Sequence, residues 1–414
     1  MDDAFLDALE GRDPEEREQT VMAALPGLIR HVLEHAPGYR RLYGDVDPGA
    51  IASRSALAGL PVLRKSDLPE LQAGDPPLGG LATRPAGGML RLFASPGPIF
   101  EAEGSDADPW RSARALHATG FRAGDILQNC FSYHFTPAGV MFESGAKRIG
   151  CAVIPAGVGN SDQQARVMAA LKPKGYVGTP DFLKAILEKA DELGLDCSAS
   201  GLAHVTGGPY LPALRAFYEG RGIQVFQSYG IADLGIIAYE TVAREGLVVD
   251  EGAIVEIVAP GTGDPVPDGD VGEVLVTVFT RDYPLIRFAT GDLSAVLPGP
   301  SPCGRTNMRI KGWMGRADQT TKVKGMFVHP AQVAEVGRRH PELGRLRLVV
   351  MARDGLDEMV LRAEVPAVDD AAGLVSAVGE TLRAVTKLRG RVEAVSLGSL
   401  PNDGKVIEDA RIHG

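Results

Sequence analysis

The alternation of apolar and polar segments predicts a layered α/β architecture for the central part of the chain. From about residue 109, helical segments such as WRSARALHATG and SDQQARVMAALKP alternate with short apolar segments such as CAVIPA and GYVGT. The short segments have the length of buried strands, and the helical ones are long enough to cross back over a sheet. Strands that alternate with such helices form parallel βαβ units, so we predict a large layered α/β domain.

The two ends of the chain show other patterns. Residues 1–72 are predicted to be largely helical, because QTVMAALPGLIRHVLEHA places apolar residues at helical spacing. After Gly220, IVEIVAPGTGDPVPDGDVGEVLVTVF contains two strand-like runs around a turn rich in Pro, Gly and Asp, which predicts an antiparallel β element. From about residue 319, strand-like and helical segments predict a small α+β domain.

Length and composition limit the classes of fold and partner. A chain of 414 residues is too long for one core, and its 44% apolar residues suffice for two or more. The formal net charge of −10 argues against a nucleic-acid or anionic-membrane partner. Bound nucleotides, which need only a few local groups, stay open. Because no apolar run approaches about 18 residues and the acidic N-terminus lacks a signal-peptide pattern, a cytoplasmic protein is expected.

Cysteine and histidine give no metal motif. The four cysteines form no CxxC pair and are expected to be reduced thiols. His31 and His35 have the i, i+4 spacing of metal ligands, but no third ligand is nearby, and the face of a helix ending before Pro37 is the better interpretation. No structural zinc is expected.

Four polar clusters concentrate the candidate chemistry: QSYGIADLG (227–235), YPLIRFATGDL (283–293), GWMGRADQTTKVKG (312–325) and LPNDGKVIEDAR (400–411). Each alone could be a solvated turn. Their order and spacing, however, together with VLEHAPGYRRLY, LPVLRKSDL, GTPDFL and PCGRT, resemble the phenylacetate–CoA ligase branch of the adenylate-forming superfamily. The resemblance runs over nearly the whole chain.

The resemblance implies an ATP-dependent, AMP-forming carboxylic acid–CoA ligase that uses Mg²⁺ and acts through an acyl-adenylate. Aromatic residues in the expected acyl pocket favour an aromatic acid, similar to phenylacetate or benzoate. The implied organisation is an N-terminal AMP-binding domain over residues 1–317 and a small mobile domain over 318–414, with Asp318 as the hinge. A homodimer is left open.

The resemblance also implies roles for individual residues. Lys405 is the expected catalytic residue, bridging carboxylate and phosphate oxygens, and Asp233 is the expected Mg²⁺ ligand. The residues implied in nucleotide binding are Ser95, Gly97, Gly207, Gly208, Tyr229, Gly230, Asp292 and Arg316. The implied acyl-pocket residues, which could equally be core, are Phe131, Tyr133, His134 and Phe135. Lys324 and Gly325 are placed beside the incoming CoA thiol arm.

The chain departs from the family where the phosphates are expected. FASPGPIFEAEG, predicted to be a tight loop, stands where the branch has a loop rich in Ser, Thr and Gly. Pro96 and Pro98 lack a backbone N–H and remove two possible phosphate donors. Glu101 and Glu103 would repel a triphosphate if they face it. Ala232 stands where the family has a residue with a hydroxyl group. Gln319 stands where the family has a second acid, after the hinge.

Two alternatives therefore accompany the ligase hypothesis. The first is a protein of the same fold with impaired adenylation that binds AMP, an acyl-adenylate or an aromatic ligand. The second is a ligase whose acceptor is a carrier-protein phosphopantetheine or an amine instead of CoA.

Overall fold

The computed structural model describes residues 4–95, 99–208, 210, 212–323, 326–353, 356–368, 371–401 and 405–411. Its contacts divide the chain into two units. The large unit comprises Met1–Thr290 and Ala295–Gly312, and the small unit comprises Gly291–Ser294 and Trp313–Gly414. The predicted domain boundary between residues 317 and 318, with its hinge at Asp318, stays a prediction.

The helices of the large unit lie mainly in the N-terminal segment and between the strands of the central sheet. They are α1 (Pro14–His35), α2 (Pro37–Tyr43), α3 (Arg54–Ala58), α4 (Leu68–Gly74), α5 (Ser112–Thr119), α6 (Ala138–Ile149), α7 (Ser161–Leu171), α8 (Pro180–Glu192) and α9 (Pro212–Glu219). The small unit contains α10 (Pro330–Arg339) and α11 (Ala372–Thr386). Short 3-10 turns lie at Ala8–Gly11, Pro48–Ala50, Lys65–Asp67, Ala86–Gly88 and Ala317–Gln319.

The strands are given in chain order, in two groups. The first group is β1 (Leu63–Arg64), β2 (Arg91–Ser95), β3 (Ile99–Glu103), β4 (Ile126–Asn129), β5 (Ala152–Pro155), β6 (Gly175–Gly178), β7 (Leu202–Val205), β8 (Gln224–Ile231), β9 (Gly235–Tyr239) and β10 (Leu247–Val249). The second group is β11 (Ala253–Val258), β12 (Val271–Val278), β13 (Phe288–Leu297), β14 (Arg309–Ile310), β15 (Thr321–Val323), β16 (Met326–Val328), β17 (Leu346–Arg353), β18 (Leu356–Val365), β19 (Arg391–Ser396) and β20 (Ile407–Asp409).

One large sheet runs in the order β11-β12-β13-β14-β10-β9-β8-β7-β6-β4-β5, with β1 paired to β13. Neighbours from β5 to β8 are parallel, as the alternating pattern predicts. From β8 onwards the strands turn antiparallel, and β11 pairs antiparallel with β12, which confirms the predicted antiparallel element.

Helices cover both faces of the parallel part. Adjacent residues of β6 point to opposite faces: Tyr176 packs in a cluster with residues of α7 and α8, and Val177 in one with residues of α5 and α6. A parallel strand covered on both faces must be apolar on both, which explains the unbroken apolar segments in this part of the sequence.

Helix ends follow the turn chemistry of the sequence, with one correction. Gly120 and Gly150 close α5 and α6 in the left-handed conformation, at φ 117° and 86°. A serine at the start of SDQQARVMAALKP is expected to cap the helix, but Ser161 is instead the first residue of α7, and Asn160 precedes it at φ 51°. Asparagine tolerates this conformation better than most residues, which accounts for the shift by one position.

A buried arginine joins the N-terminal segment to the antiparallel strands. The guanidinium of Arg287 donates to the carbonyls of Ala58 (2.7 Å) and Leu60 (2.6 Å) and to that of Gly263 (2.7 Å). It also forms a 3.0 Å ion pair with Glu256. A chain lacking residues 54–64 would lose two of these carbonyl contacts, and one lacking residues 253–263 would lose the third carbonyl and the ion pair. Either loss would leave a buried charge with fewer partners, so the three segments stabilise one another.

The small unit contains its own sheet, ordered β19-β18-β17-β20, and a separate hairpin of β15 and β16. Its core packs α10 and α11 on this sheet through Val336, Leu348, Leu361 and Leu382. The predicted α+β architecture of this part is confirmed. In the ranges given above, no helix is both long and apolar enough to cross a membrane.

Candidate active site

Of the two glycines that follow β7, Gly207 lies beside an aromatic side chain of the predicted acyl pocket. Gly207 adopts φ 73°, and a Cβ placed on it would lie 3.8 Å from the ring of Phe131. A Cβ on Gly208 would lie 3.4 Å from Pro180. The Phe131 ring is buried and stacks on Phe142 with 5.0 Å between ring centroids. The structure thus brings together one predicted nucleotide-binding residue and one predicted acyl-pocket residue.

The other three predicted acyl-pocket residues differ strongly in environment. Tyr133 is partly buried, its hydroxyl accepts a hydrogen bond from Asn129 Nδ2 (2.9 Å), and burial raises the pKa of its phenol. His134 is exposed, and Phe135 is 79% exposed with φ 59°. In the large unit as described, Phe131 is therefore a core side chain and Tyr133 a partly buried one, whereas Phe135 is a surface side chain.

His204 lies in β7, the strand that precedes these glycines. The ring is fully buried between two hydroxyls, Thr119 Oγ1 at 2.8 Å from Nδ1 and Ser228 Oγ at 2.9 Å from Nε2. Burial lowers its pKa to about 3. A neutral imidazole has one donor and one acceptor and can satisfy both hydroxyls, so His204 joins β7 to α5 and to β8 rather than carrying a proton in a reaction.

Tyr229 and Gly230 lie in β8, where its pairing with β9 shifts register. The Tyr229 ring is buried, and its hydroxyl donates to Thr290 Oγ1 at 3.1 Å. A Cβ on Gly230 would lie 2.6 Å from the carbonyl oxygen of Gly235. Only glycine fits this approach of two backbones, so the position has a structural reason besides its predicted role at the adenine.

The predicted phosphate-loop segment is mostly a β-hairpin, which corrects the expectation of a tight loop. β2 and β3 pair from Arg91–Glu103 to Ser95–Ile99, so alternate side chains are held against the body of the unit. Gly97, together with Pro96 and Pro98, lies outside the described residues. Ser95 is the last residue of β2, and its hydroxyl is buried without a hydrogen-bond partner among the described residues.

The two glutamates of this hairpin are buried but have different surroundings. Glu103 forms a 2.6 Å ion pair with Arg91 on the paired strand. Glu101 is 2% exposed, and no donor in the described chain meets hydrogen-bond geometry with either of its carboxylate oxygens. Burial, with a smaller contribution from the charge of Asp233, raises the pKa of Glu101 to about 7, although Ser95 and Lys65 act in the opposite direction.

Asp233, the predicted metal ligand, lies in the turn between β8 and β9 and forms an ion pair with Lys65. Lys65 Nζ donates to Asp233 Oδ2 at 2.6 Å, and the Asp233 side chain is 1% exposed. Asp233 Oδ1 is buried without a partner among the described residues. The nearby Tyr283 hydroxyl has its pKa raised by burial and by the charges of both Asp233 and Glu101. The hairpin, the 3-10 turn that begins at Lys65 and the β8–β9 turn therefore meet at one buried polar cluster.

The small unit holds its predicted nucleotide residues in direct contact with one another. Asp292 lies in β13, and its Oδ1 accepts from Trp313 Nε1 (3.1 Å) and from Arg316 Nη1 (3.2 Å). The backbones of Asp292 and Arg316 also form an isolated antiparallel bridge. Gly291 precedes this aspartate at φ 74° and lies against the guanidinium of Arg316. These contacts fix the direction of the Asp292 carboxylate.

The loop carrying Lys405 is anchored within the small unit. Lys405 is exposed and stands two residues before β20. The backbone N–H of Val406 donates to Gln319 Oε1 at 2.7 Å, and Gln319 ends the 3-10 turn that contains Asp318. The side chain of Asp318 is outside what the structure describes, as are Lys324 and Gly325.

Sequence reasoning missed three residues of this arrangement. Lys65 lies in the LPVLRKSDL segment, which carried the family resemblance, but its partner Asp233 is 168 positions away. Trp313 lies in the GWMGRADQTTKVKG cluster, but the sequence assigns it no role. For Glu101, the sequence predicts only an unfavourable charge near the phosphates. The sequence signal that could have identified such residues is a lysine or carboxylate within a segment that resembles the family. Spacing along the chain, however, does not identify the partner of that residue.

Comparison with known proteins identifies similar sequences over most of the chain. Residues 110–278 match the family model described as AMP-binding enzyme. The phenylacetate-coenzyme A ligase of Thermus thermophilus is 30% identical over 359 residues, which is 82% of this chain and 80% of the relative. The corresponding ligase of Aromatoleum evansii is 29% identical over 378 residues, covering 87% of this chain and 84% of the relative.

Solved structures show the same fold. A crystal structure of an open conformation of 2-hydroxyisobutyryl-CoA ligase, in complex with 2-HIB-AMP and CoA, gives a TM-score of 0.87 at 23% identity and covers 99% of this chain and 97% of that one. The identity of 30% with a curated relative, sustained over four fifths of both sequences, is the stronger finding. The chain therefore belongs to the phenylacetate–coenzyme A ligase-like family of adenylate-forming enzymes, which are AMP-forming acid–thiol ligases.

Proposed function

We propose that this protein ligates an aromatic carboxylic acid, similar to phenylacetate or benzoate, to coenzyme A at the expense of ATP. The observation that carries the proposal is the position of Gly207 beside the Phe131 ring. The acyl group and the nucleotide become one molecule in an acyl-adenylate, so their pockets must adjoin. An aromatic wall next to a glycine that allows close approach supports a flat acyl group. Relatives named phenylacetate-coenzyme A ligase support the same substrate class.

The reaction needs two displacements, because a thiol cannot expel oxide from a carboxylate. In the first, a carboxylate oxygen of the acid attacks the α-phosphorus of ATP, the bond to the bridging oxygen breaks, and pyrophosphate leaves. In the second, the thiol of CoA attacks the acyl carbon and AMP leaves with the bridging oxygen. The solved 2-hydroxyisobutyryl-CoA ligase, which contains an acyl-AMP and CoA, supports this sequence of steps.

Lys405 is the proposed catalytic residue of the first step. Two anions must meet in that step, and a positive charge near the transferring oxygen lowers the repulsion between them. A lysine on a flexible stem can reach both the carboxylate and the phosphate. The hydrogen bond between Val406 and Gln319 supports the role, since it restrains the backbone next to this side chain.

The remaining residues are assigned to binding. Asp292, oriented by Trp313 and Arg316, is proposed to hydrogen-bond the ribose hydroxyls. Arg316 adds a second nucleotide contact. The proposed adenine-side and phosphate-side residues are Ser95, Gly97, Gly208, Tyr229 and Gly230. Asp318 remains the proposed hinge, and Lys324 and Gly325 the proposed contacts of the CoA arm.

Asp233 is the residue proposed to hold Mg²⁺. Its buried Oδ1 has no partner in the described part of the chain, which is the condition expected of an oxygen that awaits a cation. Mg²⁺ commonly binds through one or two carboxylates together with phosphate oxygens. When bound, it would neutralise phosphate charge and assist the departure of pyrophosphate.

The altered hairpin supports a second candidate function. Pro96 and Pro98 cannot donate backbone hydrogen bonds to a phosphate, which favours a protein that binds AMP or an acyl-adenylate without making one. A ligase with a carrier-protein or amine acceptor differs only in the second step.

One experiment separates these functions. The protein is incubated with ATP, Mg²⁺, CoA and single acids from an aromatic and aliphatic panel, and AMP and acyl-CoA are measured. We expect AMP release that depends on an aromatic acid and is lost in Lys405→Ala. AMP binding without AMP release for any acid would refute the ligase. AMP release and acyl-adenylate without acyl-CoA would indicate another acceptor.

A further inference from the structure

The buried cluster around Asp233 contains more unsatisfied oxygen than an ordinary protein interior. Four oxygen atoms lack a partner among the described residues: Glu101 Oε1 and Oε2, Asp233 Oδ1 and Ser95 Oγ. Across the part of the chain that the structure describes, buried carboxylate oxygens without a partner occur only at Glu101 and Asp233. Such groups are costly, so their presence together points to a ligand that satisfies them.

The charges of the cluster do not balance. Lys65 pairs with Asp233 through a 2.6 Å contact, whereas Glu101 forms no ion pair with any described residue, unlike Glu103, which is paired with Arg91. Two carboxylates beside one ammonium group leave one negative charge in a place that water scarcely reaches. A cation is therefore favoured there over an additional anion.

Lys65 also directs the free oxygen of Asp233. Because its ammonium group holds Oδ2, the aspartate cannot rotate without breaking that contact, and Oδ1 stays free. Carboxylates that bind metals are commonly fixed in this way by a hydrogen bond to their other oxygen. The free atoms are all hard oxygen donors, the type that Mg²⁺ and Mn²⁺ prefer.

We infer that Glu101 is a second carboxylate ligand, beside Asp233, for the divalent cation that accompanies the phosphates of the nucleotide. The hairpin then contributes a metal-bound carboxylate where related loops are expected to contribute donors to the phosphates themselves. Glu101 would thus attract the nucleotide through a shared cation rather than repel it. This inference rests on the proposed function for the identity of the nucleotide, but the cation site itself can be tested without any reaction.

The first test measures binding of Mn²⁺, followed by the electron paramagnetic resonance signal of free Mn²⁺, with and without the non-hydrolysable α,β-methylene analogue of ATP. We expect Glu101→Gln and Asp233→Asn each to weaken Mn²⁺ binding by about tenfold or more, as the loss of one charged contact predicts. Glu103→Gln is the matched control, since it removes a buried glutamate of the same hairpin that already has a partner. Unchanged Mn²⁺ affinity in Glu101→Gln, with a loss in Asp233→Asn, would overturn the inference.

A second test avoids any variant that might not fold. Fe²⁺ with ascorbate and hydrogen peroxide cleaves the backbone next to the metal in the unaltered protein, and the fragments are identified by mass spectrometry. We expect cleavage both near residues 99–103 and near residues 231–235, suppressed by excess Mg²⁺. Cleavage at the second segment alone would contradict a role for Glu101.

The outcomes also separate this inference from the proposed function. Mn²⁺ binding that depends on Glu101 in a protein that releases no AMP would support the cation site and refute the ligase. Acid-dependent AMP release with Mn²⁺ binding that ignores Glu101 would support the ligase and refute the cation site.

Discussion

The backbone N–H of Val406 donates to the side-chain oxygen of Gln319 across 2.7 Å, joining the loop of Lys405 to the turn that contains Asp318. From the sequence, Gln319 appears only as the replacement for an acid. In the structure this amide restrains the backbone next to the proposed catalytic lysine. A residue beside the proposed hinge is thereby hydrogen-bonded to the segment that carries the proposed catalytic lysine.

We predict that Gln319→Ala slows adenylation more than thioester formation. The variant removes the hydrogen bond to Val406, and the loss of such a bond, about 0.5–1.5 kcal/mol, corresponds to about a two- to tenfold loss of rate. ATP–pyrophosphate exchange measures the first step, and single-turnover conversion of purified acyl-adenylate measures the second. Gln319→Glu keeps an acceptor and should retain most of the exchange rate. Equal rates in both steps for Gln319→Ala would show that the contact has no part in positioning Lys405.

We predict that two aromatic residues of the implied acyl pocket contribute very differently to the free energy of unfolding. Phe131→Ala removes a buried ring stacked on Phe142 and should lower the free energy of unfolding by about 3–5 kcal/mol. Phe135→Ala removes a side chain that is 79% exposed and should change it by less than about 0.5 kcal/mol. Urea unfolding followed by the fluorescence of Trp110 makes the comparison. If Phe135→Ala raises the KM for the acid more than Phe131→Leu does, the assignment of the acyl wall is wrong.

We predict that Gly230→Ala is not tolerated. Its new methyl group would lie 2.6 Å from the backbone carbonyl oxygen of Gly235, so two paired strands would have to separate. We expect a loss of at least about 2 kcal/mol in stability. Gly27→Ala is the control: no atom lies within 4 Å of its added Cβ, and in a helix the change should stabilise by about 0.5–1 kcal/mol. The midpoints of urea unfolding measure the stability of the two variants. A Gly230→Ala protein as stable as the parent would show that β8 and β9 can separate without cost.

We predict a pH-dependent stability of the large unit that depends on His204. Burial lowers the pKa of His204 to about 3, so the folded protein keeps the ring neutral while the unfolded chain binds a proton below about 6.5. The resulting stability is present above pH 6.5 and falls as the pH drops toward 3. Between pH 6.5 and 5 the loss should approach about 2 kcal/mol.

The measurement uses one tryptophan in each unit. In a Trp313→Phe background, Trp110 alone reports the large unit, and urea unfolding is recorded from pH 7.5 to 5. His204→Gln should be less stable at pH 7.5 but should show a weaker dependence on pH. An identical dependence in both proteins would mean that folding does not lower the pKa of His204.

Local patterns predicted much of the fold because the relevant signals are local. Gly120 and Gly150 end helices, apolar runs mark strands covered on both faces, and a turn rich in Pro and Gly joins β11 to β12. The hairpin of β2 and β3 was not predicted, because its Ser, Pro and Gly residues are typical of loops. Strand pairing there depends on side chains that are buried only in the folded unit.

The candidate site could be predicted only in part. The resemblance supplied the residues assigned to the nucleotide. The structure brings two of them into contact, because the Arg316 guanidinium donates to the Asp292 carboxylate. The pair of Lys65 and Asp233 joins segments 168 positions apart, and no periodicity or spacing connects them. The isolation of Glu101 is a property of everything that surrounds it, so it cannot be read from its own segment.

The contacts of Arg287 set a practical limit on how this protein can be shortened. The match to the AMP-binding family covers residues 110–278, which invites expression of that segment alone. Such a fragment would keep Glu256 but lose Arg287 itself and the Ala58 and Leu60 carbonyls that hold it. A truncation for crystallography or screening should therefore retain residues 54–64 and continue past residue 287, even though neither limit coincides with the recognised segment.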